Sequence, residues 1–217
     1  MLPNNLDPVA VRVIGCLIEK ELSTPDHYPL SLNALTNACN QSSNRDPVMS
    51  LDEGTVSQAI DSLRRLGLVR SIQGVGSRVP KYQHLLADVG ELSRPELAVL
   101  CVLALRGQQT QAEVRARAAR LMPGDDASGL DTALENLIKS EPQPVVARLP
   151  RRPGQKEVRY AHLLSGEIMA ADDDAPELPP TEPDTDRLAA LEQLADELRN
   201  EVADLRAQLQ SFRKQFE

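Results

Sequence analysis

The apolar positions in the first 90 residues follow a helical period three times and then change to a strand period. The spacing predicts helices at 8–22, 31–40 and 52–66, each with one apolar stripe and a capping residue near its start. Alternating positions then predict two short strands, 68–72 and 78–82, on either side of a glycine turn. Helices followed by a strand hairpin in this order are typical of a winged helix, in which a recognition-type helix precedes a two-stranded wing.

The same order of patterns returns in the second half of the chain. A helical stripe at 93–106, two further helical segments and a strand pair at 145–149 and 158–160 repeat the first unit. Both copies end on the same motif, which is Tyr82-x-His84-Leu85-Leu86 in the first and Tyr160-x-His162-Leu163-Leu164 in the second. A shared ending after a shared order of elements predicts one fold repeated.

Two segments of different character follow residue 166. Residues 167–186 are rich in proline and acidic side chains, which predicts a disordered linker. Residues 187–217 place an apolar residue at every seventh position from Leu188 to Phe216, with a second apolar series three residues later. This heptad register predicts a two-stranded coiled coil and a homodimer through 188–216. The alternative is an amphipathic helix that packs on its own chain.

Together these patterns predict a mainly helical α+β protein with small β wings. The predicted domains are winged-helix domain 1 at 1–90, winged-helix domain 2 at 91–166, the acidic linker at 167–186 and the coiled-coil helix at 187–217.

Composition favours a cytoplasmic protein without membrane contact. The three cysteines form no C-x-x-C motif, which suits a reducing compartment. The longest apolar run, 97–105, is far shorter than the ~20 residues that span a bilayer, and the first residues lack the pattern of a signal peptide.

The net charge of −8 is unevenly distributed. Residues 1–90 carry 8 basic and 9 acidic side chains, residues 91–166 carry 11 and 9, and residues 167–217 carry 5 and 14. The two predicted domains are therefore nearly neutral, and a basic patch on them is compatible with the acidic total. Aromatic residues make up only 2% of the chain, which argues against single-stranded nucleic acid as a ligand because such proteins stack bases on aromatic rings.

An enzyme is the least favoured class of function. The three histidines, His27, His84 and His162, are scattered and show no metal-ligand spacing. No glycine-rich loop leads from a strand into a helix as phosphate-binding loops do. The sequence therefore predicts no catalytic, metal or cofactor site, and it predicts structural roles for the two histidines that close the repeated motifs.

Several motifs that occur in one order resemble the bacterial YceH family. They are Arg12–Lys20 (RVIGCLIEK), Thr24-Pro25, Tyr28-Pro29-Leu30-Ser31, Ala38-Cys39-Asn40-Gln41, Asn44-Arg45-Asp46-Pro47-Val48-Met49, Lys81-Tyr82, Arg106-Gly107 and Arg115–Arg120 (RARAAR). The resemblance covers about residues 6–166. It implies a tandem winged-helix fold, and it implies no particular activity.

Basic side chains near the predicted wings and on the second helix of the second unit are the candidate contacts to nucleic acid. A winged helix places its third helix in the major groove while the wing contacts phosphates, and arginine and lysine supply salt-dependent phosphate contacts. The candidates are Arg64, Arg65, Arg78 and Lys81 in the first unit, and Arg115, Arg117, Arg120, Arg151, Arg152, Lys156 and Arg159 in the second.

The acidic residues on the predicted recognition helices argue against base reading. Asp52, Glu53 and Asp61 lie on the outward face of the first recognition helix, and Asp131 and Glu135 lie on the second. Carboxylates suit a helix N-terminus, but they repel phosphate. If DNA is bound, the wings and the second helix are therefore expected to dominate.

The polar loop at 40–49 has two interpretations. Its Asn, Ser and Asp side chains suit local bonds to the backbone, which would make the loop a structural connection between helices. Alternatively, it is a recognition loop that presents Arg45 to nucleic acid.

Two functions from different classes follow. The first is a dimeric, sequence-tolerant protein that binds double-stranded DNA, of the transcriptional-regulator type. The second is a protein–protein interaction scaffold that does not bind DNA directly, by analogy with segregation-and-condensation protein B, another tandem winged-helix protein. The second rests on fold-level analogy alone.

Overall fold

The computed structural model describes residues 2–73, 79–122, 129–151 and 157–166, and within them the protein is α+β with two small antiparallel sheets. The first half contains a long helix, a two-residue strand, two further helices and a strand hairpin. These elements are α1 (Pro8–Ser23), β1 (Leu30–Ser31), α2 (Leu32–Cys39), α3 (Glu53–Arg65), β2 (Val69–Ile72) and β3 (Lys81–His84), with one 3-10 turn at Pro25–His27.

The second half repeats that order after the short helix α4 (Leu86–Val89). Its elements are α5 (Arg94–Arg106), β4 (Gln109–Thr110), α6 (Gln111–Ala119), α7 (Leu130–Lys139), β5 (Val146–Arg148) and β6 (Arg159–His162). The predicted repetition of helices and hairpins is therefore confirmed in the described residues.

The two sheets have the same strand order and equivalent registers. The orders are β1-β3-β2 and β4-β6-β5. Tyr82 pairs with Leu30 in the first sheet, and Tyr160 pairs with Gln109 in the second. The repeated Tyr-x-His motif thus occupies the same strand in both halves. The short strands β1 and β4 were not predicted, because two residues are too few to show an alternating pattern.

The helix boundaries are set by capping side chains at the starts of α1 and α3 and by glycines at the ends of α3 and α5. Asp7 accepts hydrogen bonds from the backbone N–H groups of Val9 and Ala10, both at 2.9 Å. Asp52 caps α3. Gly67 follows α3 and Gly107 ends α5, with φ of 71° and 66° respectively, in the left-handed region that glycine adopts most easily.

The long helices α1 and α5 pack against each other and join the two halves. Every residue of α5 from Glu96 to Leu105 is buried, as expected for a helix that is apolar on all sides. Gly15 of α1 allows close contact, because a Cβ atom there would lie only 2.7 Å from Leu105 Cδ2. The Gly15 carbonyl also accepts a hydrogen bond from the Cys101 thiol at 3.4 Å. One hydrophobic core runs through both halves, and Met1–Met169 forms one compact unit.

The predicted linker and coiled-coil helix lie outside the described residues, as do the tips of both predicted wings. Within the described ranges, none of the helices combines the length and the apolar character that crossing a bilayer requires.

Candidate nucleic-acid interface

A groove of about 760 Å³ lies in the second half, between α6, the first turn of α7 and the β5–β6 hairpin. Helix α6 contributes one face to it, because residues 112, 115, 116 and 119 follow helical spacing. The lining includes both small apolar and charged side chains. The apolar ones are Ala112, Ala116, Ala119 and Val158, the basic ones are Arg115, Arg148 and Arg151, and the acidic ones are Asp131 and Glu157. We call this surface the hairpin groove.

The three arginines of the hairpin groove differ in their partners. Arg115 forms an ion pair with Asp131 at 3.4 Å, and both side chains are largely exposed. Such a pair contributes at most about 1 kcal/mol in water. For Arg148 and Arg151, no carboxylate of the described chain lies within 4.0 Å. The groove therefore contains two exposed guanidinium groups without a counter-ion in this part of the protein.

The predicted arginines of α6 do not share one surface. Arg115 lines the hairpin groove, whereas Arg117 and Arg120 line a second, smaller pocket on the other side of the helix. Arg159 does not line the hairpin groove either, and its Nη1 donates a hydrogen bond to the Gln108 carbonyl at 3.0 Å. The structure thus brings Arg115 and Arg151 together with Arg148, and separates Arg117 and Arg120 from them.

Three predicted basic residues of the first half, Arg64, Arg65 and Lys81, are exposed but interspersed with acids. Arg64 pairs with Asp61 at 3.3 Å, and Arg65 donates to the Ser62 hydroxyl at 2.8 Å. Lys81 is exposed at the start of β3. The exposed acids of α3 give this surface mixed charge. The remaining candidates, Arg78, Arg152 and Lys156, lie outside the described residues.

The prediction that Arg45 contacts nucleic acid is wrong, because its side chain is buried. Both terminal nitrogens donate to the Glu19 carboxylate, at 3.0 and 2.6 Å, and Arg45 also donates to the Ala38 carbonyl. Burial alone would lower the pKa of the guanidinium, but its hydrogen bonds to Glu19, together with the electrostatic effect of that carboxylate and of the nearby cysteines, raise that pKa above its ordinary value. Arg45 links α1 to the end of α2 through these hydrogen bonds, and its side chain has no exposed surface for a ligand.

The structural interpretation of the polar loop at 40–49 is confirmed. The Asn40 side chain exchanges two hydrogen bonds with the backbone of Leu51, each 2.7 Å long. A second buried guanidinium, Arg12, donates to the carbonyls of Cys39 and Pro47 at 3.1 and 2.5 Å. No role was predicted for Arg12 from the sequence. The signal was the presence of two charged residues, Arg12 and Glu19, seven positions apart in one buried helix, which indicates that this helix packs against a polar segment.

The three cysteines are buried free thiols. The side chains of Cys16 and Cys39 interact with each other, and burial raises the pKa of Cys101 well above its ordinary value. Across the described ranges, no three His, Cys, Asp or Glu side chains are grouped so that they could hold a metal ion. The thiols are small apolar parts of the core.

The two histidines of the repeated motif occupy equivalent strand ends but differ in their surroundings. His84 Nδ1 accepts a hydrogen bond from the Leu86 N–H at 3.3 Å, and its Nε2 faces the Glu21 carboxylate. His162 Nδ1 is buried and has no hydrogen-bond partner in the described part of the chain. Burial lowers the pKa of His162 to about 4. The neutral form of His162 is therefore the one that fits the fold.

We expect the stability of the protein to fall as the pH is lowered from 7 to 5, with His162 responsible for about 2 kcal/mol. Because the folded-state pKa, about 4, lies below the ordinary 6.5, the unfolded chain binds more protons between these values. Stability is therefore present above pH 6.5 and is lost as the pH falls towards 4. Urea unfolding of wild type and of His162→Gln at pH 7 and pH 5 measures the difference. His27→Gln, at an exposed position, is the control, and equal pH dependence in all three proteins would contradict the assignment.

Comparison with known proteins shows extensive similarity to one family. Residues 6–155 match the family described as "Protein of unknown function, DUF480". The chain is 49% identical to a UPF0502 protein of Pelobacter propionicus, over 100% of this chain and 99% of that protein. It is 49% identical to a UPF0502 protein of Aeromonas hydrophila, over 94% and 93% of the two chains. It is 54% identical to a UPF0502 protein of Geotalea daltonii, over 79% and 78%.

Proposed function

Because the chain belongs to the DUF480 family, whose UPF0502 members are the YceH type that its motifs resemble, we propose that it is a tandem winged-helix protein that binds double-stranded DNA without catalysing a reaction. The observation that carries this proposal is the hairpin groove, where Arg148 and Arg151 have no counter-ion among the described residues. Guanidinium groups in this position are suited to backbone phosphates.

The repeated order of elements supports the winged-helix part of the proposal. In each half the third helix, α3 or α7, leads directly into the hairpin that would form the wing. Helices α2 and α3 contact each other in the first half, as do α6 and α7 in the second. This is the arrangement in which a second helix supports a recognition helix. The homodimer through 188–216 remains a prediction.

The charge distribution favours sequence-tolerant binding over base reading. Asp52 is exposed at the start of α3, where it accepts a hydrogen bond from the Thr55 N–H at 2.8 Å. In α7, Glu135 pairs with Lys139 at 3.0 Å. The carboxylates on both recognition helices would repel the phosphates of DNA. We therefore propose that DNA is held mainly by phosphate contacts from the hairpin groove, as expected for a regulator of low sequence specificity.

The double variant Arg148→Ala/Arg151→Ala is expected to bind a 30-base-pair duplex about ten- to a hundredfold more weakly than the wild type. The reason is that each guanidinium group stays largely exposed to water, so each lost phosphate contact is expected to cost about 0.7–1.4 kcal/mol, and 1.4 kcal/mol is a tenfold change in affinity. Fluorescence anisotropy of a labelled duplex in 50 mM KCl measures the effect.

The matched control is Arg64→Ala/Arg65→Ala, which removes two exposed arginines from the mixed surface of α3. It is expected to bind within about threefold of the wild type. The proposal fails if the wild type does not bind the duplex at low salt, or if both double variants lose affinity equally.

A second function, that of a protein-interaction scaffold, is favoured by the alanine-lined face of the same groove. Ala112, Ala116 and Ala119 provide small apolar contacts next to basic side chains, which would suit an acidic segment of a partner protein. In that case the wild type would bind an acidic, apolar peptide more tightly than a DNA duplex of equal charge. The preference between these two ligands, measured in one competition experiment, separates the two functions.

A further inference from the structure

A second pocket, of about 120 Å³, lies where the two halves meet. It is bounded by the end of α5, by the side of α6 that faces away from the hairpin groove, and by Asn44 from the polar loop of the first half. Arg106, Arg117 and Arg120 line it, and the buried residues Cys101 and Leu105 form its apolar wall. We call it the junction pocket.

The positive charge of the junction pocket exceeds its negative charge. Within the described chain, neither Arg106 nor Arg120 has a carboxylate within 4.0 Å, whereas Arg117 has Glu113 at 3.4 Å. Glu19 also lines the pocket, but both of its carboxylate oxygens accept hydrogen bonds from buried Arg45. Three arginines and one glutamate, which is already paired with Arg45, therefore line this site.

Burial and the neighbouring like charges both act on Arg106. Burial, together with the charges of Arg117, Arg120 and Arg45, lowers the pKa of Arg106. The Nη2 of Arg106 donates to the Asn44 side-chain oxygen, and Asn44 itself has a φ of 60°, which is uncommon for a residue other than glycine. A site that gathers mutually repelling cations is stabilised when an anion enters it.

We propose that the junction pocket binds a phosphate-class oxyanion, either free phosphate or the phosphate group of a small molecule, and that this anion links the two halves. Guanidinium groups bind tetrahedral oxyanions through paired N–H donors, which a monatomic anion cannot accept in the same way. The site lies across α6 from the hairpin groove, and so it goes beyond the proposed DNA contact and does not depend on it.

Thermal unfolding of the full-length protein in potassium phosphate, with potassium chloride at equal ionic strength as reference, tests this inference. Phosphate is expected to raise the unfolding midpoint by about 3 °C once its concentration is about tenfold above its Kd. The variant Arg106→Gln/Arg120→Gln is expected to lose this shift, and the single variant Arg120→Gln, at an exposed position at the end of α6, tests the same site if the double variant fails to fold. Arg115→Gln, on the opposite side of α6, is the matched control and is expected to keep the shift.

Two results would overturn the inference. One is a midpoint that responds equally to phosphate and chloride, or that shifts to the same extent in Arg120→Gln and Arg115→Gln. The other is a wild type whose midpoint does not shift in phosphate, combined with an Arg106→Gln/Arg120→Gln variant that binds duplex DNA more than about fivefold more weakly. In that case the pocket would bind the phosphates of DNA. A duplex affinity within twofold of the wild type, together with loss of the phosphate shift in the variant, supports a separate anion site.

Discussion

Replacing Glu19 by alanine is expected to lower the free energy of unfolding by about 3–5 kcal/mol, because it leaves the Arg45 guanidinium buried without its counter-ion. The Arg45 side chain has no exposed surface and that of Glu19 only 9%. Arg45 makes a bidentate contact with the Glu19 carboxylate, and the shorter of its two hydrogen bonds is 2.6 Å long. Urea unfolding followed by circular dichroism measures the loss.

Lys20→Ala is the matched control for the Glu19 variant. Lys20 lies 3.6 Å from the same carboxylate, but its side chain is 22% exposed, so its removal is expected to cost about 1 kcal/mol or less. In a double-mutant cycle, Glu19→Ala and Arg45→Ala should couple by about 2 kcal/mol. A loss below about 1 kcal/mol for Glu19→Ala would show that the pair behaves like a surface ion pair, contrary to this account.

Replacing Gly15 by leucine is expected to destabilise the protein by about 3 kcal/mol, at the upper end of the range for overpacked cores. A Cβ atom at position 15 would lie 2.7 Å from Leu105 Cδ2 and 2.9 Å from Leu105 Cγ, closer than carbon atoms approach in folded proteins. The gain in helix propensity over glycine, about 1 kcal/mol, only partly offsets this repulsion. Because the contact joins α1 to α5, the variant should weaken the packing of the first half against the second.

A size-compensating variant tests the cause of the Gly15 effect. Leu105→Ala alone is expected to cost about 2–5 kcal/mol by creating a cavity. Combined with Gly15→Leu, however, it should cost less than the sum of the two single changes, since the new side chain occupies the vacated space. Thermal unfolding of the four proteins provides the comparison. Strict additivity, or a Gly15→Leu protein as stable as the wild type, would contradict close packing at this position.

The helices and hairpins could be predicted because short stretches of sequence determine them. The stripe of α3 illustrates this: Val56, Ile60 and Leu63 are buried as its helical spacing requires. Leu66, the next apolar position at this spacing, is 48% exposed, because it caps the end of the helix. The strands β1 and β4 could not be predicted, since each exists only through pairing with a hairpin about 50 residues away.

For the candidate sites, the direction of a side chain on a helix could be predicted from the sequence, but its partners from distant segments could not. Arg115 and Arg117 differ by two positions in a helix and must point about 200° apart. Their separation into two pockets therefore follows from the sequence alone, although both were predicted to contact the same ligand. By contrast, the burial of Arg45 depends on Glu19, 26 residues earlier. The loss of Arg159 as a free cation depends on the Gln108 carbonyl, 51 residues earlier. Such partners are known only once the fold brings them together.

The salt dependence of duplex binding tests the central proposal most directly. If the hairpin groove binds phosphates, log Kd measured between 50 and 200 mM KCl should rise linearly with log salt concentration. Removing Arg148 and Arg151 together should reduce this slope by about 2, at roughly 0.9 per phosphate contact. Wild-type binding that does not change with salt, or a slope that is the same with and without the two arginines, would contradict the account.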